Sequence, residues 1–128
     1  MKKVLLKVIK DVLDTHPDVI FAYLFGSFLE SDRFRDVDIG IYIKQDKNPY
    51  VISSELKERI SRNPEISGKF SADFFDIQIL NEAPFYVIGR IMKEGFLVID
   101  KDPDLRKDLV EKVSLKYREC AGILKETI

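Results

Sequence analysis

Asp36 and Asp38 stand two positions apart in DVDIGIYI, a stretch that alternates as a strand does. Residues two apart on a strand project from one face, so the two carboxylates are presented together, about 6 to 7 Å apart along the backbone. A divalent cation relieves their repulsion, and carboxylate oxygens combined with substrate phosphates are what magnesium prefers. Upstream, Gly26-Ser27 follows the apolar run Val19 to Phe25. Glycine there lets the backbone approach a ligand closely, the turn after it aims N–H groups at a phosphate, and Ser27 adds a hydroxyl. A third carboxylate, Asp76, faces away from Phe75, Ile77 and Ile79, and emerges beside Asp36 and Asp38 if the strands share a sheet. Asp73 has the opposite parity and is the weaker candidate. Three carboxylates hold two metals about 3.5 to 4 Å apart, an arrangement suited to in-line displacement at phosphorus. The expectation is that Asp36 and Asp38 hold the metal of a nucleoside triphosphate. Asp76 then completes a second metal site and helps to deprotonate the incoming hydroxyl.

The elements that must position these residues follow from periodicity. Val4, Leu5, Val8, Ile9, Val12 and Leu13 recur at helical spacing up to Pro17. Val19 to Phe25 is short, continuous and rich in strand formers, which suits a central strand covered on both faces. Ser27 to Arg35 carries no apolar periodicity and reads as a short helical turn or loop. From Asp36 to Ile43, Val37, Ile39, Ile41 and Ile43 take the core face, leaving Asp36, Asp38, Gly40 and Tyr42 opposite. Val51, Ile52, Leu56 and Ile60 predict a second helix ending near Asn63-Pro64. A third strand is expected over roughly 70–80, a short helix from Pro84 stopped by Gly95, a strand over 96–99, and a last helix at about 103–127. The chain, 1–128, reads as one domain.

Composition bounds the function. Of the 128 residues 45% are hydrophobic and 34% charged, enough apolar surface for a core, and the net charge of -1 lacks the basic footprint of a nonspecific nucleic-acid binder. Long nucleic acid is therefore not expected as a partner. The lone cysteine, Cys120, excludes an intramolecular disulfide and, with a single histidine, the usual structural zinc site. A reducing cytoplasm is the simplest compartment. No run approaches the ~20 apolar residues of a membrane span, and MKKVLLKVIKDV, broken by Lys7 and Lys10, reads as neither signal peptide nor anchor.

The strings LFGSFLESDRFRDVDIGIYI and FFDIQILNEAPFYVIGRIMKEGFLVID resemble the minimal nucleotidyltransferases, the MNT group of the DNA polymerase β superfamily, over about residues 20–100. The resemblance implies an α+β fold, a mixed β-sheet flanked by helices. It places Gly26 and Ser27 at the nucleotide phosphates, with Asp36, Asp38 and Asp76 as a triad for magnesium, two ions in all. It also implies ATP as substrate and a helical HEPN-type protein as partner, a toxin silenced when AMP is transferred to its tyrosine, with this chain as antitoxin. Two loop positions depart from the family pattern. Glu30 stands near the place of a second glycine, and Arg35 replaces the serine before the first aspartate. Arg33 and Arg35 are candidates for phosphate contact in compensation.

Blander readings stand beside these. An isolated Asp-x-Asp is more often a solvated turn, and Gly26 or Ser27 alone serves a turn or a cap. His16 is expected as a surface cap at a helix end, Cys120 as a small core residue, and Phe74, Phe85, Tyr86 and Phe96 as packing residues, one of them available to stack on a base. Two other functions fit the same residues: a noncatalytic antitoxin that binds nucleotide and neutralises its partner by contact, and an enzyme acting on a small-molecule hydroxyl. The apolar stripe of the last helix is compatible with a homo-oligomer or a heteromeric complex.

Overall fold

The computed structural model describes residues 1–127, with side chains through Arg118. Its centre is β1 (Val19–Phe25), flanked by β2 (Val37–Ile43) and β4 (Phe96–Asp100), both antiparallel to it. A fourth strand, β3 (Phe75–Ile79), lies parallel to β2 at the edge, giving the order β3-β2-β1-β4. The sheet is therefore mixed, as expected for the α+β class. The helices are α1 (Lys2–Thr15), the single turn α2 (Ser27–Glu30), α3 (Pro49–Ser61), α4 (Phe85–Glu94) and α5 (Pro103–Thr127).

Alternation in the strands divides the packing between two faces. Ile39, Ile41 and Ile43 of β2, with Ala22 and Leu24 of β1, turn to one face, where Leu5 and Ile9 of α1 and Leu56 and Ile60 of α3 bury them. Phe21 and Tyr23 turn the other way, towards Leu80 and Ile91, with Leu105 and Leu109 of α5 packed behind. Gly40 belongs to this second face. A Cβ there would press on Ile91 and Leu80, both at 3.2 Å, so the missing side chain lets α4 close onto β2. Asn48 starts α3 by accepting from the N–H groups of Tyr50 and Val51, and Pro49 occupies the first turn, where its missing donor costs nothing.

Two expectations are corrected. The strand expected over 70–80 is confined to Phe75–Ile79, because the preceding residues form a 3-10 turn, Ala72–Phe74. Phe70 and Phe74 there pack ring against ring at 4.6 Å, and Phe74 reaches on to Phe34 and Phe75. His16 is not a surface residue. It is only 3% exposed, its Nε2 lies 2.9 Å from a Glu55 carboxylate oxygen on α3, and its carbonyl accepts from the Lys101 ammonium at 2.8 Å. Its polar atoms are satisfied on every side, which makes burial tolerable. The side chains of Cys120 and Leu124 lie outside the described residues.

Asn81 has a structural role that the sequence did not announce. Just past the end of β3, its Oδ1 accepts from the Ile43 N–H at 2.9 Å and its Nδ2 donates to the Ile43 carbonyl at 2.8 Å. One side chain thus replaces the strand that β2 lacks beyond Ile41. Two net hydrogen bonds are worth about 1 to 3 kcal/mol, so Asn81→Ala should lower unfolding free energy by that amount in urea titrations. An unchanged midpoint would remove the clamp from the account.

Candidate active site

Strand register brings the acidic residues together. Asp38 pairs across one ladder with Phe25, the last residue of β1, and across the other with Asp76 on β3. All three point to the sheet face that α4 covers only in part. Asp36 immediately precedes β2, Asp38 is half-buried, and Asp76 is exposed on the edge strand. Strand parity puts Asp76 on the side away from Phe75, Ile77 and Ile79, and the parallel β2–β3 pairing sets that side next to Asp38. Asp73 lies on the 3-10 turn instead.

Gly26 forms the wall behind Asp38. Its φ of 78° and ψ of -159° belong to a region that only glycine occupies readily. A Cβ at this position would overlap the Asp38 carboxylate outright. The turn therefore needs glycine twice over, for the backbone angle and for the approach of the acid. Ser27 follows as the first residue of α2, and its carbonyl accepts from the Ser31 N–H at 3.0 Å.

Crowding shows in the proton affinity of Asp38, whose pKa is raised from 3.8 to about 6. Burial is the main cause. The negative fields of Asp36 and Asp76 add to it, and so does a hydrogen bond between the Asp38 and Asp76 carboxyl groups. Among the described residues no three His, Cys, Asp or Glu side chains converge into a ready-made metal cage. Magnesium does not need one, since it binds through one or two carboxylates, water and substrate phosphates. Hard oxygen donors, mutual repulsion and a glycine wall that admits no side chain fit such an ion.

A cavity of about 490 Å³ opens from Gly26 and Asp38 towards α4. Glu30, Gln78, Tyr86 and Arg90 line it, whereas Ser27, Asp36 and Asp76 stand outside its walls. Arg33 and Arg35 are exposed and do not line it either. Of the aromatic residues expected to pack, with one available to stack on a base, Tyr86 is 58% exposed and faces this space. The one available signal for the α4 wall was the four-residue spacing of Tyr86, Arg90 and Glu94 along α4, which puts them on one face of the helix.

A family model, Polymerase beta, Nucleotidyltransferase, matches residues 7–104. Comparison with curated proteins finds no match. Among solved structures, the complex of tri-AMPylated Shewanella oneidensis HEPN toxin with MNT antitoxin aligns at a TM-score of 0.66 and 19% identity, over 99% of this chain and 98% of that one. A toxin-antitoxin structure with AMP-PNP gives 0.66 at 19% identity, over 95% and 97%. The toxin-antitoxin MntA-HepT gives 0.64 at 18%, over 98% and 97%. At such identities the likeness is one of fold. Within the described residues no helix is long and apolar enough to cross a membrane.

Two outcomes test this geometry without substrate. Gly26→Ala should destabilise the fold by at least about 1 to 3 kcal/mol from the backbone angle alone, measured by denaturant unfolding. For Asp38 the folded state holds the proton more tightly than the unfolded chain does. Its contribution to stability is therefore greatest below pH 3.8 and is lost as pH rises through about 6. In metal-free buffer Asp38→Asn should melt above the parent protein at about pH 7.5, and the gain should disappear at about pH 4. Equal gains at both values would mean that the acidic crowding is not felt.

Proposed function

Because the chain belongs to the polymerase β nucleotidyltransferase family, we propose that it transfers AMP from ATP to a hydroxyl on another protein. Asp36, Asp38 and Asp76 hold magnesium in this reading, and Gly26 and Ser27 meet the triphosphate. The observation that carries it is the double register of Asp38, opposite both the end of β1 and Asp76. Magnesium bound there neutralises phosphate charge and polarises the phosphoryl oxygens.

The chain's own residues do the remainder. Gly26 lets the phosphates approach the backbone, and Ser27 offers a hydroxyl donor. Asp36 and Asp38 would supply the carboxylate oxygens that hold such an ion beside the triphosphate. Asp76, the exposed carboxylate, takes the proton of the incoming hydroxyl as its oxygen bonds to the α-phosphorus and pyrophosphate leaves. Its place on an edge strand lets an acceptor carried by another protein reach it from solvent. The fold shared with an MNT antitoxin whose HEPN toxin is tri-AMPylated supports a HEPN-type partner as acceptor and an antitoxin role. The solved relative with AMP-PNP supports an adenine nucleotide. Tyrosine is the acceptor side chain that the resemblance implies.

A noncatalytic antitoxin is favoured by one feature, the carboxylates of Glu30 and Glu94 on the cavity wall, which disfavour bound phosphate. The two readings part in one assay. Magnesium, radiolabelled ATP and a candidate HEPN-type partner protein are mixed with this chain, and label is sought in protein. Transfer should occur, and Asp36→Asn, Asp38→Asn and Asp76→Asn should each reduce it by about a hundredfold or more while the complex persists, since even outer-shell changes at metal sites cost about 10- to 100-fold. A stable complex with no transfer establishes the binding module instead.

A further inference from the structure

The cavity beside Asp38 has the wrong charge for the ligand proposed to fill it. Glu30, Asp38 and Glu94 face it, and among its described walls Arg90 is the one cation. Even two divalent ions would be shared between a nucleoside triphosphate and the three carboxylates that hold them, which leaves negative charge unbalanced. The loop arginines, Arg33 and Arg35, lie off these walls, so the compensation expected of them has to come from elsewhere.

Arg90 is placed for it. It lies on the α4 face that closes the cavity, one turn before Glu94, and its Nε meets a Glu94 carboxylate oxygen at 3.4 Å. Both side chains are largely exposed, 78% and 63%, and an exposed pair of this spacing is held weakly. A guanidinium has five N–H donors, and this pair engages only the one on Nε. The two terminal nitrogens keep the forked geometry that matches phosphate oxygens. We infer that Arg90 is a phosphate-binding residue of the nucleotide site, held by Glu94 in the absence of nucleotide and exchanged onto phosphate when nucleotide enters. The inference rests on the proposed nucleotidyl transfer and adds to it a residue and a competitor for that residue.

Binding measurements on the full chain test it. Titration calorimetry with ATP and magnesium should show Arg90→Ala about ten- to a hundredfold weaker than the parent, the range of a lost charge-assisted hydrogen bond. Adenosine, which has no phosphate, should bind both proteins alike. Arg90→Lys, which keeps the charge and loses the fork, should recover part of the loss. Glu94→Gln should bind ATP more tightly, because the competitor is gone. Circular dichroism of each variant should match the parent, given the exposure of both side chains.

Three results overturn the inference while leaving the nucleotidyltransferase reading intact: ATP affinity in Arg90→Ala within about twofold of the parent, an equal loss for adenosine, or weaker ATP binding by Glu94→Gln. Failure of the unchanged protein to bind ATP with magnesium overturns that reading and this inference together.

Discussion

Asp38 is held where a carboxylate is least welcome, half-buried, hydrogen-bonded to a second acid and in the field of a third. Nothing in the local sequence requires this. It follows from the sheet, because the antiparallel ladder sets Asp38 against Phe25 and the parallel ladder sets it against Asp76. A shift of either register by one residue would turn its strand's acids towards the isoleucine face, at the expense of the core. The core residues Ile39 and Ile41 thus fix the position of the acid between them and the strand's start as firmly as any contact that it makes itself.

The same alternation explains why one face of the sheet is only partly covered. On the face of α1 and α3 the apolar positions run without interruption, and the helices close over them. On the other, Gly40 draws α4 down onto β2, while Asp38 and Gln78 beside it hold no apolar surface for the helix to bury. The cavity is what remains between a helix seated at Gly40 and strand ends that are polar. Gly26 keeps this space open at its far wall, since any side chain there would collide with Asp38.

Legibility in the sequence followed from how local each cause was. The apolar run of β1, the alternation of β2 and the cap at Asn48 act within a few residues, and the elements came out close to where the pattern put them. Asp76 was placed on the right side by parity alone. The length of β3 was misread because Phe70 and Phe74 look like strand residues and are instead recruited into an aromatic cluster with Phe34, distant in sequence. His16 was misread for a similar reason, since Glu55 and Lys101, which satisfy it, arrive from α3 and from just beyond β4. The α4 wall was the least visible part. Tyr86 and Arg90 carry no motif, and only their placement opposite Asp38 gives them meaning.

The division of exposure between Asp38 and Asp76 bears on where specificity resides. Carboxylates in unlike environments take unlike roles, the enclosed one suited to holding charge at a fixed point and the open one to exchanging a proton with whatever arrives. Asp76 sits on an edge strand, and among the described residues β3 has no neighbour beyond it. On the proposed reading, the cavity under α4 is taken by the nucleotide, and Asp76, exposed on an edge strand and outside the walls of that cavity, is approached from solvent. An acceptor must then be oriented by contacts made elsewhere on the surface. That requirement suits a hydroxyl fixed on a docked protein better than a free small molecule, which brings no such surface with it.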